Sequence, residues 1–514
     1  MKLFATIANS LWVASSLPAW RHFRAALNSP AEAQAGWLRE HLARNAGCEF
    51  ARQHKLAQVR GYEEFARRVP LTDYDQLEPW IMKIRSGETC LLTNESVTHL
   101  IPTSGSAGAR KLIPFTAGLQ RDFNRALGPW ICDLAKQHPA ILGGPAYWSI
   151  TPAIQTVETE PSCVPIGFAH DASYLGGARK WLLQAALVAP NELTSSADME
   201  EFRRQTLRCL VRQRELRFIS VWHPSFLALL LDALPGHWEQ LLADMPASEE
   251  LWHADPRQPE TIWPHLQVIS CWGDAHAELA LADLRRRFPR THIQFKGLLA
   301  TEAFVTIPFG DAHPLAVRSH FFEFIREDGA IQLAHELRVG GIYELAVTTS
   351  GGLWRYRLGD QVEVTGFAAR TPSLRFVGRS GNVSDLCGEK LSDAFVGAAI
   401  REVAASLSVP PRFALVAPEQ STNGWHYTLF VEGEVEDETV GGRLETLLRA
   451  NPNYAHCRAL GQLGALRVFR ITGRGQETFL TVETARGRQY GNIKPCLFSR
   501  ETAWSGYFTG NYTL

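Results

Sequence analysis

A chain of 514 residues is too long for a single hydrophobic core, because such cores stop growing at roughly 250–300 residues, so we expect at least two domains. Lys and Arg total 52 against 53 for Asp and Glu, and this balance argues against a general attraction to nucleic acid or anionic membranes. We therefore expect no nucleic acid partner. The nine cysteines never occur as Cys-x-x-Cys, which predicts buried thiols in a reducing compartment and argues against a metal site or disulfide framework.

The first predicted element is a helix at the start of the chain. Residues 3–20 follow Lys2 without a charge and superficially resemble a signal peptide. Polar residues interrupt this stretch, however, and the apolar residues Leu3, Ile7, Leu11 and Trp12 recur at helical spacing, which favours a packed amphipathic helix. No other stretch approaches the ~20 apolar residues that a membrane span needs. We predict a cytoplasmic protein with no membrane span.

Helical and strand-like patterns then alternate along the chain. Residues 30–70 read as helices, and from residue 97 onward short β-like runs are separated by longer helical stretches. The β-like runs include 146–150, 216–222, 266–272 and 291–296, and the helical stretches include 226–234 and 277–288. This alternation predicts an α/β architecture with largely parallel sheets.

The pattern changes after Phe321. Residues 343–349, 354–357 and 361–365 read as consecutive antiparallel strands, which predicts an antiparallel, barrel-like subdomain. Beyond a hinge near residues 379–393, a smaller α+β region contains predicted strands at 412–417 and 425–432, a helix at 438–450 and further strands near 465–483. We predict a large N-terminal domain over residues 1–385 and a mobile C-terminal domain over residues 386–514.

The segment Thr103–Lys111 lies between two β-like runs and has the sequence Thr-Ser-Gly-Ser-Ala-Gly-Ala-Arg-Lys. Its two glycines permit positive φ angles, so successive backbone N–H groups can turn toward one anion that approaches closely. Three hydroxyl groups add donors and two cations add charge, which predicts a cradle for the phosphates of a nucleoside triphosphate. The residues assigned to phosphate binding are Thr103, Ser104, Gly105, Ser106, Gly108 and Lys111.

Three other interpretations compete for this segment. A flexible surface loop has the same composition, and that alternative stays open for the segment in isolation. A Walker P-loop needs wider glycine spacing and a hydroxyl residue after the lysine, whereas Lys111 precedes Leu112. An esterase nucleophile elbow needs Gly two positions before the serine and a helix after it, whereas Ser104 precedes Ser106 by two and a β-like run follows.

Three further motifs carry candidate site residues. Thr301-Glu302 follows a β-like run and suits a phosphate-bound Mg²⁺, although a helix N-cap is the ordinary role of such a pair. Asp360, in an Arg-x-Gly-Asp sequence between two strands, suits the ribose hydroxyls, although a solvated turn is the ordinary alternative. Arg379 ends a strand near the predicted hinge, where a surface arginine is the alternative.

The order of these motifs resembles that of the adenylate-forming superfamily. Within it, the local sequence is similar to the auxin-responsive Gretchen Hagen family of acyl acid amido synthetases, and the resemblance spans nearly the whole chain. The longest matching segment, Tyr343 to Phe367, reads YELAVTTSGGLWRYRLGDQVEVTGF. Other matching segments lie at residues 103–115, 221–227, 262–264, 321–325, 426–432 and 453–454.

The resemblance implies a two-step ligase that activates a carboxylic acid with ATP as an acyl adenylate and transfers the acyl group to an amine, usually an amino acid. It implies that Thr103, Ser104, Ser106 and Lys111 bind phosphates, that Glu302 holds Mg²⁺, that Asp360 binds the ribose and that Arg379 contacts ribose or phosphate. It further implies that Lys390 is the hinge lysine and that Lys494 approaches the α-phosphate, where an ammonium group would stabilise developing charge.

The chain departs from the plant pattern at two places. Leu298 stands where plant members have an aromatic residue, and Lys494 lacks the neighbouring tyrosine and following arginine of the family. Because nothing in the sequence names the acceptor, a thioester ligase that uses coenzyme A or a carrier protein stays open at this point, as does a degenerate nucleotide-binding protein. We favour a monomer, and the sequence identifies neither the acid nor the acceptor.

Overall fold

The computed structural model describes residues 2–103, 111–149, 162–167, 187–188, 199–243, 249–274, 277–380, 383–421, 424–433, 437–486, 493 and 496–513. The chain forms two compact units. The first comprises Met1–Val221, Ala233–Cys271 and Arg290–Phe376, and the second comprises Trp222–Asp232, Trp272–Pro289 and Val377–Leu514. The domain boundary near residue 385 stays a prediction.

The elements are numbered in chain order. The helices are α1 (Lys2–Ala26), α2 (Pro30–Asn45), α3 (Glu49–Gln53), α4 (Tyr62–Arg68), α5 (Tyr74–Arg85), α6 (Ala117–Gln137), α7 (Met199–Val211), α8 (Pro224–Ala243), α9 (Glu249–Trp252), α10 (Pro259–Ile262), α11 (Glu278–Arg287), α12 (Asp393–Ala405), α13 (Asp437–Leu448), α14 (Pro452–Ala459) and α15 (Gly475–Ala485). The strands are β1 (Val97–Pro102), β2 (Leu112–Thr116), β3 (Ala146–Trp148), β4 (Phe218–Ser220), β5 (Val268–Trp272), β6 (His292–Lys296), β7 (Phe321–Ile325), β8 (Ile331–Gln332), β9 (Ile342–Thr348), β10 (Tyr356–Ala368), β11 (Thr371–Arg379), β12 (Val383–Ser384), β13 (Leu391–Ser392), β14 (Phe413–Ser421), β15 (Gly424–Glu432), β16 (Arg467–Ile471) and β17 (Gly510–Tyr512).

A four-stranded sheet of order β3-β4-β5-β6 confirms the predicted α/β pattern. Tyr147 pairs with Ile219 and Ile219 pairs with Ile269 in parallel register. Ile219 and Ile269 are fully buried, as expected where a parallel sheet is covered on both faces.

The strands after Phe321 form the predicted antiparallel sheet, in the order β11-β10-β9-β7-β8. Strand β9 lies between β7 and β10, and Val347 pairs with Phe322 on one side and with Tyr356 on the other. This sheet carries the long segment that most resembles the amido synthetases.

The C-terminal region of the second unit is α+β, as predicted. Its sheet has the order β14-β15-β16-β17, with an antiparallel β14–β15 pair and a parallel β15–β16 pair. The predicted strands near 465–483 are only partly correct, because β16 is a strand but Gly475–Ala485 is helix α15. Phe479, Leu480 and Glu483 are buried on that helix, so tertiary packing overrides the strand preference of its aromatic and β-branched residues.

Helix α1 confirms the predicted helix at the start of the chain. The predicted packed face is correct for Trp12, which is buried, but wrong for Leu3, Ile7 and Leu11, which are exposed because the helix packs through a different face. Every helix within the described residues is too short or too polar to cross a lipid bilayer. The nine cysteines are free, but the prediction that they are buried is right for only four: Cys90 and Cys163 are exposed, and Cys209, Cys387 and Cys496 are partly exposed. Cys90 and Cys163 both lie in loops, where no periodic pattern of apolar residues indicates whether a side chain is buried or exposed.

Candidate functional site

The predicted phosphate loop connects the two strands of an antiparallel hairpin. Pro102 on β1 pairs with Leu112 on β2, and the Thr103 N–H donates to the Lys111 carbonyl at 2.9 Å, which fixes both ends of the loop. Ser104, Gly105, Ser106 and Gly108 lie outside the described residues. A strand follows the loop directly, and α6 begins only at Ala117, so the strand-to-helix context of a P-loop or a nucleophile elbow is absent from this described segment.

Tyr74, at the start of α5, supports the loop exit and was not found from the sequence. Its hydroxyl oxygen accepts a hydrogen bond from the Leu112 N–H at 2.8 Å, and the Lys111 Nζ lies 5.4 Å from its ring centroid. A capping box between Asp73 and Gln76 starts α5 at this point and fixes the backbone of its first turn, and burial raises the pKa of the Tyr74 hydroxyl. The ammonium group of Lys111 is therefore placed beside an aromatic ring at the base of the loop.

Thr301 and Glu302 occupy the tip of a tight turn after β6. The Ala300 N–H donates to the Ala303 carbonyl at 3.0 Å, and Leu299 and Phe304 form an antiparallel bridge below the tip. Both tip side chains are partly exposed, and no helix follows them, so the N-cap alternative is wrong.

The turn is anchored by a close backbone approach that requires glycine at position 297. A Cβ atom added to Gly297 would lie 2.1 Å from the Thr306 carbonyl oxygen. The Leu298 N–H donates to the Thr306 Oγ1 at 2.7 Å, and the Leu298 side chain is buried. Leu298, where the sequence resemblance led us to expect an aromatic residue, is therefore a packing residue beneath the turn.

Asp360 lies in a bulge of β10. Arg357 pairs with Ala346 and Gln361 pairs with Glu344, so three residues, Leu358 to Asp360, lie opposite the single residue between these partners. Gly359 has a φ of +74°, which suits glycine at this irregularity. Asp360 is only 3 % exposed, so the alternative of a solvated Gly-Asp turn is wrong.

A buried ion pair directly before this bulge was missed by sequence reasoning. The Arg355 guanidinium donates to both carboxylate oxygens of Glu323 on β7, at distances between 2.7 and 3.0 Å. It also donates to the carbonyl oxygens of Ala66 and Val69 at 2.9 and 2.6 Å. The Tyr62 hydroxyl donates to the same Glu323 carboxylate at 2.9 Å, and burial beside that carboxylate raises the pKa of Tyr62.

Neighbouring hydrogen bonds fix the backbone on both sides of Arg355. Thr72 donates through its N–H to the Arg355 carbonyl at 3.0 Å and through its Oγ1 to the Trp354 carbonyl at 2.7 Å. The Trp354 indole donates to the Leu92 carbonyl at 2.9 Å. Arg355 itself has a φ of +45°, an unfavourable angle for a residue with a side chain, and the surrounding bonds hold it there.

In the second unit, Arg379 ends β11 and is partly buried. The preceding Gly378 is required by close packing, because an added Cβ would lie 3.0 Å from the Ala394 Cβ in the first turn of α12. Burial raises the pKa of Asp393 to about 6, while the positive charges of Arg401 and Arg379 oppose that rise.

Lys390 is exposed and has a φ of +47°. The loop before it is organised by Glu389, a fully buried carboxylate that accepts hydrogen bonds from the N–H groups of Leu386 and Cys387 and from the Tyr427 hydroxyl at 2.5 Å. Burial and this carboxylate raise the pKa of Tyr427. Lys494 lies outside the described residues.

The metal-ligating side chains among the described residues suit an Mg²⁺ ion that is bound together with a triphosphate. They do not suit a metal ion bound by protein side chains alone. The described residues contain no group of three or more His, Cys, Asp or Glu side chains that could hold a metal ion. Mg²⁺ is commonly bound by one or two carboxylates together with phosphate oxygens, and the partly exposed Glu302 supplies one such carboxylate.

The sequence matches two family models. The GH3 family N-terminal domain matches residues 19–251, and the GH3 family central domain matches residues 313–379, so together they cover more than half of the chain. The chain belongs to the GH3 family. The family expected from the sequence is thereby confirmed, and the central-domain match of this GH3 protein includes Arg355, Asp360 and Arg379.

Relatives of this GH3 protein include amido synthetases that it matches over most of their length. Indole-3-acetic acid-amido synthetase GH3.3 of Arabidopsis thaliana is 24% identical and covers 89% of this chain and 87% of its own length. Jasmonoyl-L-amino acid synthetase JAR6 of Nicotiana attenuata is 24% identical, with 85% of each chain covered.

Solved structures agree with the fold of this GH3 protein. The AtGH3.15 acyl acid amido synthetase in complex with 2,4-DB has a TM-score of 0.81 at 18% identity, with 95% of each chain covered. A 2-hydroxyisobutyryl-CoA ligase in the postadenylation state has a TM-score of 0.51 at 12% identity, with 94% of this chain and 89% of that chain covered. The adenylate-forming fold predicted from the sequence is confirmed.

Proposed function

We propose that this GH3 protein is an ATP-dependent acyl acid amido synthetase that uses an amino acid as the acceptor. The enzyme class is that of its relatives, AMP-forming acid–amino acid ligases. The observation that supports the nucleotide role best is the buried Asp360 in the β10 bulge, because a carboxylate fixed in this way can accept hydrogen bonds from two vicinal ribose hydroxyls.

The first half-reaction makes the acyl adenylate. A carboxylate oxygen of the acid attacks the α-phosphorus of ATP, the bond from that phosphorus to the bridging oxygen breaks, and pyrophosphate leaves. Thr103 and Lys111 hold the two ends of the loop that we assign to the phosphates, with Ser104 and Ser106 as further donors. Mg²⁺, when bound with the triphosphate at Glu302, supplies positive charge that offsets the negative charge of the phosphates.

The second half-reaction makes the amide. The amine nitrogen attacks the acyl carbon, the bond between that carbon and the phosphate oxygen breaks, AMP leaves, and the nitrogen releases a proton to solvent. We assign Arg379 to the nucleotide, Lys390 to the hinge and Lys494 to the charge that develops at the α-phosphate during adenylation. Lys390 has a positive φ, as does Gly388 two residues earlier, with a φ of +102°, and these two unusual backbone angles support the assignment of a hinge to this segment.

A pyrophosphate-exchange screen over aryl, indolyl, fatty and hydroxy acids tests the first half-reaction. We expect exchange of label into ATP with a subset of acids, and a strongly reduced rate in the Asp360→Asn variant. The Asp328→Asn variant is a matched control, because Asp328 is an exposed carboxylate that pairs with Arg326 on the surface. Nucleotide binding without exchange for any acid would favour the degenerate nucleotide-binding alternative.

The acceptor is then identified with the acid that exchanges best. The enzyme, ATP and that acid are incubated with the twenty amino acids or with coenzyme A, and the products are separated and identified by mass spectrometry. Amide products with AMP release are the expected result. A thioester product with coenzyme A and no amide with any amino acid would overturn the assignment in favour of a thioester ligase.

A further inference from the structure

Helix α1 is anchored to the first unit by one face. Ala5, Trp12 and Phe23 are buried on that face. A Cβ added to Gly128 on α6 would lie 3.2 Å from the Ala19 Cβ, so the two helix backbones approach closely. The helix is therefore a fixed part of the unit and presents its opposite face outward.

The outward face carries an exposed apolar stripe. The exposed fractions are 71 % for Leu3, 73 % for Phe4, 49 % for Ile7, 53 % for Leu11 and 40 % for Leu17. At about 100° per residue, Leu3 and Ile7 lie opposite the buried face and Phe4, Leu11 and Leu17 lie on its flanks, so α1 is apolar outside the buried face as well. A helix with apolar residues on both sides is expected to be covered on both, and contiguous exposed apolar surface commonly marks an interaction site.

The charged residues of α1 itself are of one sign, whereas the neighbouring loop carries an exposed Asp311 two residues after Phe309, whose ring lies 6.4 Å from that of Trp20. Residues 1–31 contain no Asp or Glu, and Arg21 and His22 are exposed beyond the stripe. Two more cations, Arg24 and Lys136, each lie 5.4 Å from the centroid of the Trp20 ring. The near-neutral total charge of the chain therefore conceals an apolar helix whose own charged residues are all cationic.

This charge pattern favours an anionic occupant over a second copy of the chain. In a parallel pair of α1 helices the cationic segments would meet each other, and in an antiparallel pair each would meet the acid-free start of the other helix, so neither arrangement provides a counter-charge. The hydroxyls on this helix also offer little recognition, because Ser10 and Ser15 donate to the carbonyls of Thr6 and Trp12 at 2.8 Å. A helix face whose hydroxyl groups are already hydrogen-bonded within the helix suits contact with the acyl chains of a lipid layer, which need no hydrogen-bond partners.

We propose that the outward face of α1 binds an anionic lipid surface, with Leu3, Phe4, Ile7 and Leu11 inserted at the boundary between headgroups and acyl chains and with Arg21 and Arg24 at the anionic headgroups. Apolar insertion plus attraction to anionic lipid is the combination that holds interfacial helices in place. The family model begins at residue 19, so the whole of this stripe lies outside the range matched to the GH3 family N-terminal domain.

Vesicle flotation with the purified full chain tests the proposal. We expect the protein to float with vesicles of phosphatidylcholine mixed with phosphatidylglycerol, to float far less with phosphatidylcholine alone, and to be released by ~1 M salt, where the screening length falls to about 3 Å. The Leu3→Ser/Ile7→Ser/Leu11→Ser variant should bind at least about tenfold more weakly, and the Arg21→Glu/Arg24→Glu variant should lose the preference for anionic vesicles.

Val339→Ser/Ile342→Ser is the matched control, because these side chains are 63 % and 54 % exposed elsewhere in the same unit. Its binding should equal that of the wild type, and all variants should keep wild-type pyrophosphate exchange and thermal unfolding. Equal binding to neutral and anionic vesicles, no binding to either, or undiminished binding of the triple serine variant would overturn the proposal. A wild-type dimer in light scattering that the triple variant dissociates would assign the face to a second copy instead.

Discussion

Replacing Arg355 by methionine tests whether the buried pair with Glu323 holds the segment that leads to Asp360. Glu323 is fully buried and the Arg355 side chain is 4 % exposed, so the substitution leaves a carboxylate without its cation and two main-chain carbonyls, those of Ala66 and Val69, without a donor. Removing one partner of such a pair costs about 3–5 kcal/mol. We expect the Arg355→Met variant to lose stability by that amount.

Urea unfolding followed by tryptophan fluorescence measures this loss, and titration of ATP in the pyrophosphate-exchange assay measures the effect on nucleotide binding. We expect the KM for ATP to rise more than kcat falls, because Arg355 fixes backbone next to the proposed ribose-binding carboxylate. The Arg355→Met/Glu323→Gln double variant should be more stable than the sum of its single changes by roughly 0.5–3 kcal/mol, since the buried charge has been removed.

Arg357→Met is the matched control. Arg357 is two residues away and pairs with Glu344 at 2.7 Å, but its side chain is 48 % exposed, so its loss should cost less than about 1 kcal/mol. Equal destabilisation by Arg355→Met and Arg357→Met would refute the conclusion that burial makes the Arg355–Glu323 pair the stronger contributor to stability. Additive effects of the Arg355 and Glu323 changes would refute it as well.

Four further changes test the site and the fold. Glu302→Gln should strongly lower pyrophosphate exchange and raise the Mg²⁺ concentration needed for half-maximal rate, because the turn then presents a neutral amide. Lys494→Ala should depress adenylation while leaving aminolysis of a supplied acyl adenylate comparatively intact. Lys390→Gly should raise the free energy of unfolding by up to about 1 kcal/mol, because glycine accepts the positive φ, while adenylation falls. Asp122→Asn should flatten the pH dependence of stability: burial raises the pKa of Asp122 from 3.8 to about 7, so the folded state retains a proton that the unfolded state releases, and wild-type stability falls as the pH rises between about 4 and 7.

Each of these expectations has a contrary result. Unchanged magnesium dependence in Glu302→Gln would remove that carboxylate from the metal site, and equal loss of both half-reactions in Lys494→Ala would end the separation of roles. Lower stability of Lys390→Gly would show that the lysine side chain stabilises the folded hinge more than its φ angle costs. Parallel pH profiles of the urea midpoint for wild type and Asp122→Asn would show that Asp122 titrates alike in both states.

The sequence by itself determined the architecture and the order of the motifs. Alternating β-like and helical patterns predicted the parallel sheet, the change after Phe321 predicted the antiparallel sheet, and the segment from Tyr343 to Phe367 identified the family. These features are legible because hydrophobic periodicity and turn residues act within a few residues of one another.

Only the tertiary structure decided how the candidate site is supported. The pairing of Arg355 with Glu323, the burial of Asp360 in a bulge and the bond from Tyr427 to Glu389 join residues on different strands or loops. The Gly475–Ala485 helix and the exposed stripe of α1 likewise depend on which face finds a packing partner. No local pattern specifies such long-range contacts, because burial is set by the elements that surround a residue rather than by its neighbours in the chain.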